Sequence, residues 1–253
     1  MRVAVVLPAH NEQGNLTPLV TELLRVGQDN AIDIHVVVVN DGSTDGTAQE
    51  LESLCRAFDR VRVVTHPVNR GFAAALRTGI AAACAGDAAP GWDRGCEAAA
   101  FMDADLSHRP DDLPKLVAAL DAGGDVAIGS RFVPGGGMVG VPAWRVAISR
   151  CGNLFGRVVL GVRVRDLTTG YRLVRRAVFD RIQLVEDGFT IQLESVIKAY
   201  AAGFRVVEAP ITLSTRLHGT SHMFYSPSLF ARYWRLLWKC RRWLRETGTP
   251  GTR

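Results

Sequence analysis

Residues 34–47 read IHVVVVNDGSTDGT. The first six, Ile34 through Val39, form an apolar run rich in β-branched residues, without the alternation of a half-solvated strand. Such a run suits a strand buried on both faces of a parallel sheet. It stops at Asn40 and Asp41, and Gly42, Ser43, Thr44 and Asp45 supply turn chemistry before Gly46 and Thr47 open a helix. In open α/β sheets, ligands bind outside the carboxyl ends of the strands, which is where this acidic turn falls.

Working outward, the pattern repeats. Residues 2–9 (RVAVVLPA) form another such run and lead into His10, Asn11 and Glu12. Over residues 15–26, Leu16, Leu19, Val20, Leu23 and Leu24 recur at helical spacing. Further strands are predicted at 61–65 and 98–102, with a helix over 73–83 between them. The strand at 98–102 runs into Asp103, Ala104, Asp105, Leu106, Ser107 and His108. Strand and helix in alternation predict an α/β fold with a mostly parallel central sheet, right-handed crossovers and flanking helices.

Residues 85–95 (AGDAAPGWDRG) read as a surface excursion punctuated by Gly and Pro, with Trp92 as a local packing anchor. A helix over 110–122 and a strand over 125–129 follow. The rhythm then changes: a Gly-rich stretch at 135–137, an Arg-studded amphipathic segment at 144–159, a β-like run at 205–213, a loop at 215–223 and a basic aromatic helix. No internal repeat or low-complexity tract interrupts the chain.

The composition is that of an ordinary globular protein: 253 residues, 47% hydrophobic and 22% charged. A net charge of +5 favours anionic partners, while the acidic turns argue against nucleic acid. Cys55, Cys84, Cys96, Cys151 and Cys240 form no C-x-x-C pair, so five separate thiols in a reducing cytoplasm are expected. No signal peptide is read at the start. No stretch approaches the ~18 apolar residues of a membrane span; the longest, 154–164, is broken by Arg157 and Arg163. The expectation is a soluble or peripheral protein.

Each acidic turn taken alone has a structural reading. The Asp-Gly-Ser-Thr stretch can be a turn and helix cap, and Asp103 with Asp105 can be solvated acids at the start of the next helix. Together, polar turns on one rim with carboxylates two residues apart suit a hard divalent cation. Such an ion completes its shell with water and substrate phosphates.

The segments LPAHNE (7–12), VNDGSTDGT (39–47), NRGFAAALRTGI (69–80), MDADLSH (102–108), GSRFVPGG (129–136), ISRCGN (148–153), DLTTGYR (166–172) and EAPITLSTRLHGTSHM (208–223) run nearly end to end. In them the chain resembles the family 2 inverting glycosyltransferases, specifically the dolichol-phosphate (polyprenol-phosphate) mannosyltransferase type. DGSTDGT and DAD mark only the broad superfamily; DADLSH with GSR, DLTTGYR and the late R-x-x-G-x-S loop is narrower. The resemblance implies a GT-A-like nucleotide-diphospho-sugar transferase fold. Residues 1–223 would form the catalytic domain with its acceptor loop, and 224–253 a basic aromatic amphipathic helix and tail.

The implied reaction moves a hexose, mannose from GDP-mannose before others, to polyprenyl or dolichyl phosphate with inversion. The alternatives are a UDP-sugar-dependent polyprenyl-phosphate glucosyltransferase and a catalytically silent sugar-nucleotide-binding scaffold. By resemblance, Pro8, Asn11, Glu12, Asp41 and Arg70 line the donor nucleotide pocket. Asp103 and Asp105 hold Mg²⁺ or Mn²⁺ against the diphosphate, with Ser107 nearby. Arg131, Arg145, Ser149 and Arg150 form the cationic site for acceptor and donor phosphates. Arg216, Ser221 and His222 close over the diphosphate, and Asp105, Arg131 and Arg216 carry the catalytic burden. The acceptor phosphate is already anionic, so no general base is nominated.

This chain departs from the family in two places. Asn40 stands where an acid is usual, and His222 stands where a lysine is usual; the histidine serves as a phosphate partner only when protonated. A zinc site at His218 and His222 lacks a third ligand. Glu194 falls in a G-x-x-x-Q-x-E pattern with Gly188 and Gln192, and either orients the acceptor site or pairs with an arginine such as Arg172.

In the terminal segment Leu229, Phe230, Tyr233, Trp234, Leu237, Trp238 and Trp243 recur near helical spacing, with Arg232, Arg235, Lys239, Arg241, Arg242 and Arg245 between them. That composition suits a helix in a headgroup layer, at the cytoplasmic face of a membrane. The same helix could instead dock on its own domain or meet a membrane-anchor protein.

Overall fold

The computed structural model describes residues 1–85, 92, 95–214 and 227–246, with the side chains of the last segment described from 233 to 245. The first half alternates as expected: β1 (Arg2–Ala9), α1 (Leu16–Asp29), β2 (Asp33–Asp41), α2 (Thr47–Ala57), β3 (Val61–His66), α3 (Phe72–Cys84) and β4 (Ala98–Phe101). A 3-10 turn at Pro110–Asp112 leads into α4 (Leu113–Asp121) and β5 (Val126–Ser130). After these come β6 (Gly137–Met138), α5 (Ala143–Leu160), β7 (Arg172–Arg175), α6 (Arg176–Phe179), α7 (Thr190–Ala201), β8 (Val206–Pro210), β9 (Thr212–Leu213) and α8 (Pro227–Glu246).

The main sheet has seven strands in the order β3-β2-β1-β4-β7-β5-β8. Its pairings are parallel except those of β7, which runs antiparallel to both β4 and β5. Sequence rhythm does not predict β7. RLVR is too short for a periodicity, and its arginines mask a strand whose first residue, Arg172, is nevertheless buried.

Alternation of side chains across the pleat splits the core into two layers. Val3, Val5, Leu7, Val36 and Val38 pack with α1, α2 and α4. Ala4, Val6, Val37 and Val39 point the other way, toward α3, α7 and α8. Leu236, Leu237, Cys240 and Leu244 of α8 are buried in this second layer, so that helix is docked on the domain. Trp92 is buried with its ring edge-on to His35 at 4.9 Å and the Arg62 guanidinium 5.8 Å away, a packing anchor.

The cysteines are less separate than the sequence suggests. Packing of α3 beside the chain that leads into β4 brings the stretches that carry Cys84 and Cys96 together, the Cys96 amide donating to the Ala83 carbonyl (2.9 Å).

The approach of α3 to the sheet rests on Gly79. A Cβ there would lie 2.2 Å from Val6 Cγ1 and 3.2 Å from Val39 Cγ2. Helix propensity favours alanine over glycine by ~1 kcal/mol, but Val6 and Val39 are stiff, β-branched and in the sheet centre, so overpacking wins. Gly79→Ala is expected to destabilise the fold by about 1–3 kcal/mol, measured as a lower urea midpoint at unchanged slope. A midpoint at or above wild type would show that α3 can slide outward without cost.

Candidate active site

The ends of β1, β2 and β4 meet on one rim, and its polar residues divide into those spent on the fold and those left facing the cleft. Asn11, in a left-handed conformation (φ 56°), donates its amide to Ser43 Oγ (3.0 Å) and accepts from the Thr44 amide (2.8 Å). Glu12 donates its amide to Thr47 Oγ1 (3.0 Å), and Gln13 accepts from the Gly46 amide (2.9 Å). These bonds lace the turn after β1 to the turn after β2. Pro8 is half-buried at the end of β1, and Arg70 is exposed.

Asp41 is buried, and its carboxylate accepts the amides of Arg70 (2.9 Å) and Gly71 (2.8 Å) as well as contacting His66 Nδ1 (2.7 Å). The other nitrogen of that ring meets Thr78 Oγ1 (3.0 Å). A carboxylate at the amino end of α3 is stabilised by the amides that the helix leaves unpaired. Gly42 (φ 66°) lets the two turns close: a Cβ there would come within 2.4 Å of Val68 and Asn69 backbone atoms. Asp41 is therefore a brace for residues 66–71, and through them for the position of Arg70. Asn40, the departure from the usual acid, accepts the Ser43 amide (3.1 Å).

After β4 the chain turns sharply, with Leu106 also left-handed (φ 62°). Asp105 is buried and accepts the Ser107 amide (3.0 Å), whereas the Asp103 side chain is 34% exposed. Buried His108 accepts the Asp103 amide at Nδ1 (3.3 Å), which puts the proton of the neutral ring on Nε2. Burial lowers the His108 pKa, against the opposing pull of Asp103 and Asp105. Ser107, also buried, accepts the Ser214 amide (2.9 Å), and His108 bridges to Leu213. The segment that leads to the late loop is thus pinned against the acidic turn. Arg216, His218, Ser221 and His222 lie outside the described residues.

Two residues that the sequence left without a role, Gly170 and Gln192, meet beside Asp103 and His108. A Cβ on Gly170 would lie 2.9 Å from Gln192 Nε2, 3.3 Å from Asp103 Oδ1 and 3.4 Å from His108 Cε1. The signals were the glycine of DLTTGYR and the Gln of the G-x-x-x-Q-x-E pattern. Neither says by itself which strand end it will face.

Arg131 follows β5 and forms a fork with fully buried Asp166: Nε and Nη2 each donate at 2.7 Å, and its amide donates at 3.0 Å. Nη2 also reaches Thr168 Oγ1 (2.9 Å). The Phe132 ring receives two guanidinium groups, Arg131 at 5.2 Å and Arg150 of α5 at 5.7 Å. Asn153 of α5 accepts the Leu167 amide (2.7 Å) and donates to the Ser149 carbonyl (2.9 Å). Arg145 is exposed over Trp144 (5.2 Å). Arg131 and Arg150 are brought together; Arg145 lies near the start of the helix that carries Arg150.

Glu194 does not pair with Arg172. Its carboxylate accepts the amides of Val185 (2.9 Å) and Glu186 (2.8 Å) and pairs with Lys198 (2.7 Å). Arg172 instead donates to the carbonyls of Gln192 and Thr169 and to Ser195 Oγ (2.6 Å). The i,i+4 lysine on the same helix wins because it needs no chain crossing.

Among the described residues no three His, Cys, Asp or Glu side chains gather as a metal cluster. The donor set at the acidic turn is the kind that leaves a hard cation to be completed by substrate phosphates: two carboxylates and a nearby hydroxyl.

Compared with known proteins, residues 4–183 match the family described as Glycosyl transferase family 2. The polyprenol monophosphomannose synthase of Mycolicibacterium smegmatis is 38% identical over 226 residues, covering 88% of this chain and 81% of the relative. The undecaprenyl-phosphate mannosyltransferase of Micrococcus luteus is 36% identical over 226 residues, 88% of each chain. The dolichol-phosphate mannosyltransferase of Pyrococcus furiosus is 32% identical over 249 residues, 96% of this chain and 64% of the relative. Among solved structures, glucosyl-3-phosphoglycerate synthase from Mycobacterium tuberculosis, in complex with Mn²⁺, UDP and glucosyl-3-phosphoglycerate, matches with a TM-score of 0.64 at 20% identity. That match covers 99% of this chain and 81% of the other, a likeness in fold.

The Arg131–Asp166 fork makes a sharp expectation. Asp166→Asn leaves a largely buried guanidinium, 11% exposed, without its counter-charge and should destabilise the protein, by at most about 3–5 kcal/mol. The double variant Arg131→Met/Asp166→Leu removes both charges and should recover part of that loss in the same denaturant titration. A single variant as stable as wild type would show that the fork is not buried in solution.

Proposed function

The chain belongs to glycosyl transferase family 2, and on that footing we propose that it transfers mannose from GDP-mannose to a polyprenyl phosphate, with inversion, at a membrane surface. Curated relatives named for this acceptor class and this sugar support the reading. The structural observation that carries it is an apolar, cation-bordered face beside the phosphate-site arginines. On α5, Trp144, Ile148, Leu154, Phe155 and Val158 are exposed along one helical stripe. On α8, Trp234 and Trp238 are 42% and 49% exposed, and Phe155 stacks on Trp234 at 5.2 Å. Arg145, Arg150 and Arg235 are exposed on the same two helices. Aromatic and cationic side chains in this mixture suit the headgroup layer of an anionic bilayer. Among the described residues no helix is long and apolar enough to cross a membrane. The site of action is the cytoplasmic face, with direct lipid contact in preference to a membrane-anchor protein.

Each residue's part follows from its position. Asp103 and Asp105, with Ser107, would hold Mg²⁺ or Mn²⁺, which when bound supplies positive charge against the departing nucleoside diphosphate. Pro8, Asn11, Glu12 and Arg70 face the donor nucleotide, and Asp41 acts there by holding the 66–71 loop. Arg131 is pre-oriented by Asp166, and with Arg145, Ser149 and Arg150 it receives the acceptor phosphate. Guanidinium groups match phosphate oxygens in paired hydrogen bonds, so fixed arginines orient the attacking oxygen without reorganising. That oxygen is already anionic and attacks the sugar carbon opposite the leaving diphosphate, which inverts the centre and needs no general base. Arg216, Ser221 and His222 complete the diphosphate site, His222 in its protonated form.

A UDP-sugar is the alternative donor, and the solved neighbours that carry UDP are its motive. A silent scaffold would have no use for the Asp103 and Asp105 pair. Purified protein, polyprenyl phosphate in liposomes and a panel of radiolabelled nucleotide sugars separate the three. Label from GDP-mannose should enter the lipid phase; label from UDP-glucose alone overturns the donor, and no label from any sugar overturns the enzyme. Asp105→Asn should lose on the order of 10²–10³ in kcat, and EDTA should stop wild type until Mn²⁺ or Mg²⁺ is restored. Full turnover in either case removes the metal from the scheme.

The membrane face has its own test. Trp234→Ala/Trp238→Ala should weaken pelleting with anionic liposomes and raise KM for the lipid acceptor several-fold, with KM for the donor unchanged. Liposome binding equal to wild type would assign that face to a protein partner.

A further inference from the structure

Away from the rim, α3 ends at Cys84 and the chain returns at Gly95 and Cys96, just before β4. The two stretches are pressed together. The Cys96 amide donates to the Ala83 carbonyl (2.9 Å), and a Cβ on Gly95 would sit 2.2 Å from the Cys84 carbonyl oxygen and 2.6 Å from Arg176 Nη1. The Arg176 amide donates to the Glu97 carbonyl (2.9 Å), which fixes the start of α6 on the same spot. Cys84 is half-buried and Cys96 is buried. The two thiols therefore sit on chain segments in direct contact and interact with each other, with the Arg176 guanidinium close by.

We propose that Cys84 and Cys96 are a reactive dithiol that a small-molecule disulfide, of the glutathione class, oxidises to an intramolecular disulfide closing the ring 84–96. Exposure assigns the roles: Cys84 is half-buried and within reach of a small disulfide, whereas Cys96 is buried. The neighbouring Cys96 draws the Cys84 pKa below the ordinary thiol value and Arg176 assists, while burial and Asp180 oppose. Cys84 and burial push the Cys96 thiol up. By contrast, burial pushes Cys55 up and pushes Cys240 up to about 12.

Cys84 thiolate attacks one sulfur of the disulfide RSSR, forming Cys84–S–SR and expelling RS⁻. RS⁻ takes the Cys96 proton to become RSH; the Cys96 thiolate then attacks Cys84 Sγ and expels the second RS⁻, which is protonated from water. Two protein thiols are oxidised and one RSSR is reduced to two RSH. The product adds a covalent tie between the end of α3 and the chain entering β4.

The test uses the full chain in a Cys55→Ser/Cys151→Ser background, to remove links between molecules, and wild type in parallel. Reduced protein is titrated with mixtures of oxidised and reduced glutathione, quenched with acid, alkylated and mapped by mass spectrometry. The expected product is a peptide pair joined through Cys84 and Cys96, with a thermal midpoint raised by about 5–10 °C and reversed by dithiothreitol. In Cys96→Ser, a glutathione adduct should accumulate at Cys84. If wild type, whose folding is not in question, keeps both thiols alkylatable in fully oxidised glutathione, or links them only between molecules, the proposal is overturned. An adduct confined to Cys96 in Cys84→Ser, with none at Cys84 in Cys96→Ser, would overturn the assigned order of attack.

Discussion

A carboxylate with no exposure to water must find its counter-charge inside the fold, and Asp166 finds it in Arg131. Desolvating both ions is repaid only when the geometry is good and the remaining polar atoms are satisfied. Here two guanidinium nitrogens and a main-chain amide converge on one carboxylate. The joint reaches further: the Asp166 amide donates to Glu208 on β8, and the Leu167 amide donates to Asn153 on α5. One buried pair therefore fixes the end of β5, the loop before β7, the edge strand β8 and the helix that carries Arg150. The helix that carries Arg145 and Arg150 hangs from that joint.

The acids on the rim show how burial sorts one residue type into different tasks. Asp41 accepts main-chain amides and a ring nitrogen and is buried, so its charge is used in shaping the cleft. Asp105 is buried but stands in the turn that also presents Asp103, whose carboxylate remains partly open. Gly170, from the loop before β7, presses against Asp103, and Gln192 of α7 lies against the same glycine. Asp103 is thus held by residues on both sides of the sheet's change from parallel to antiparallel pairing.

Much of this was legible in the sequence, because each early strand is an unbroken apolar run followed by an acidic turn. The runs at 2–9, 34–39 and 98–102 mark β1, β2 and β4 as buried parallel strands and put Asp103 and Asp105 at a strand end; that the three lie side by side is set by the pairing of the fold. What was not legible depended on long-range packing. RLVR carries no periodicity of its own, and β7 exists because two neighbouring strands offer it a place. The partner of Glu194 was decided by Lys198 one helical turn away rather than by the more distant Arg172. Cys84 and Cys96 look unrelated in a linear reading because the excursion between them hides that its ends meet.

The place of β7 also has a consequence for how the chain comes to be folded. Strands β3, β2, β1 and β4 can pair as soon as about the first hundred residues are made, but β4 then ends the sheet with its outer edge unpaired. Its neighbour, residues 172–175, is synthesised some seventy residues later. Until it arrives, the short all-apolar strand AAAF presents open amides and carbonyls, the sort of edge that recruits a second chain. Closing it requires a contact of high sequence separation, which is slow to form. A vulnerable interval in the life of this protein therefore falls during its synthesis, when the strand that will lead into its acidic turn is still an open edge.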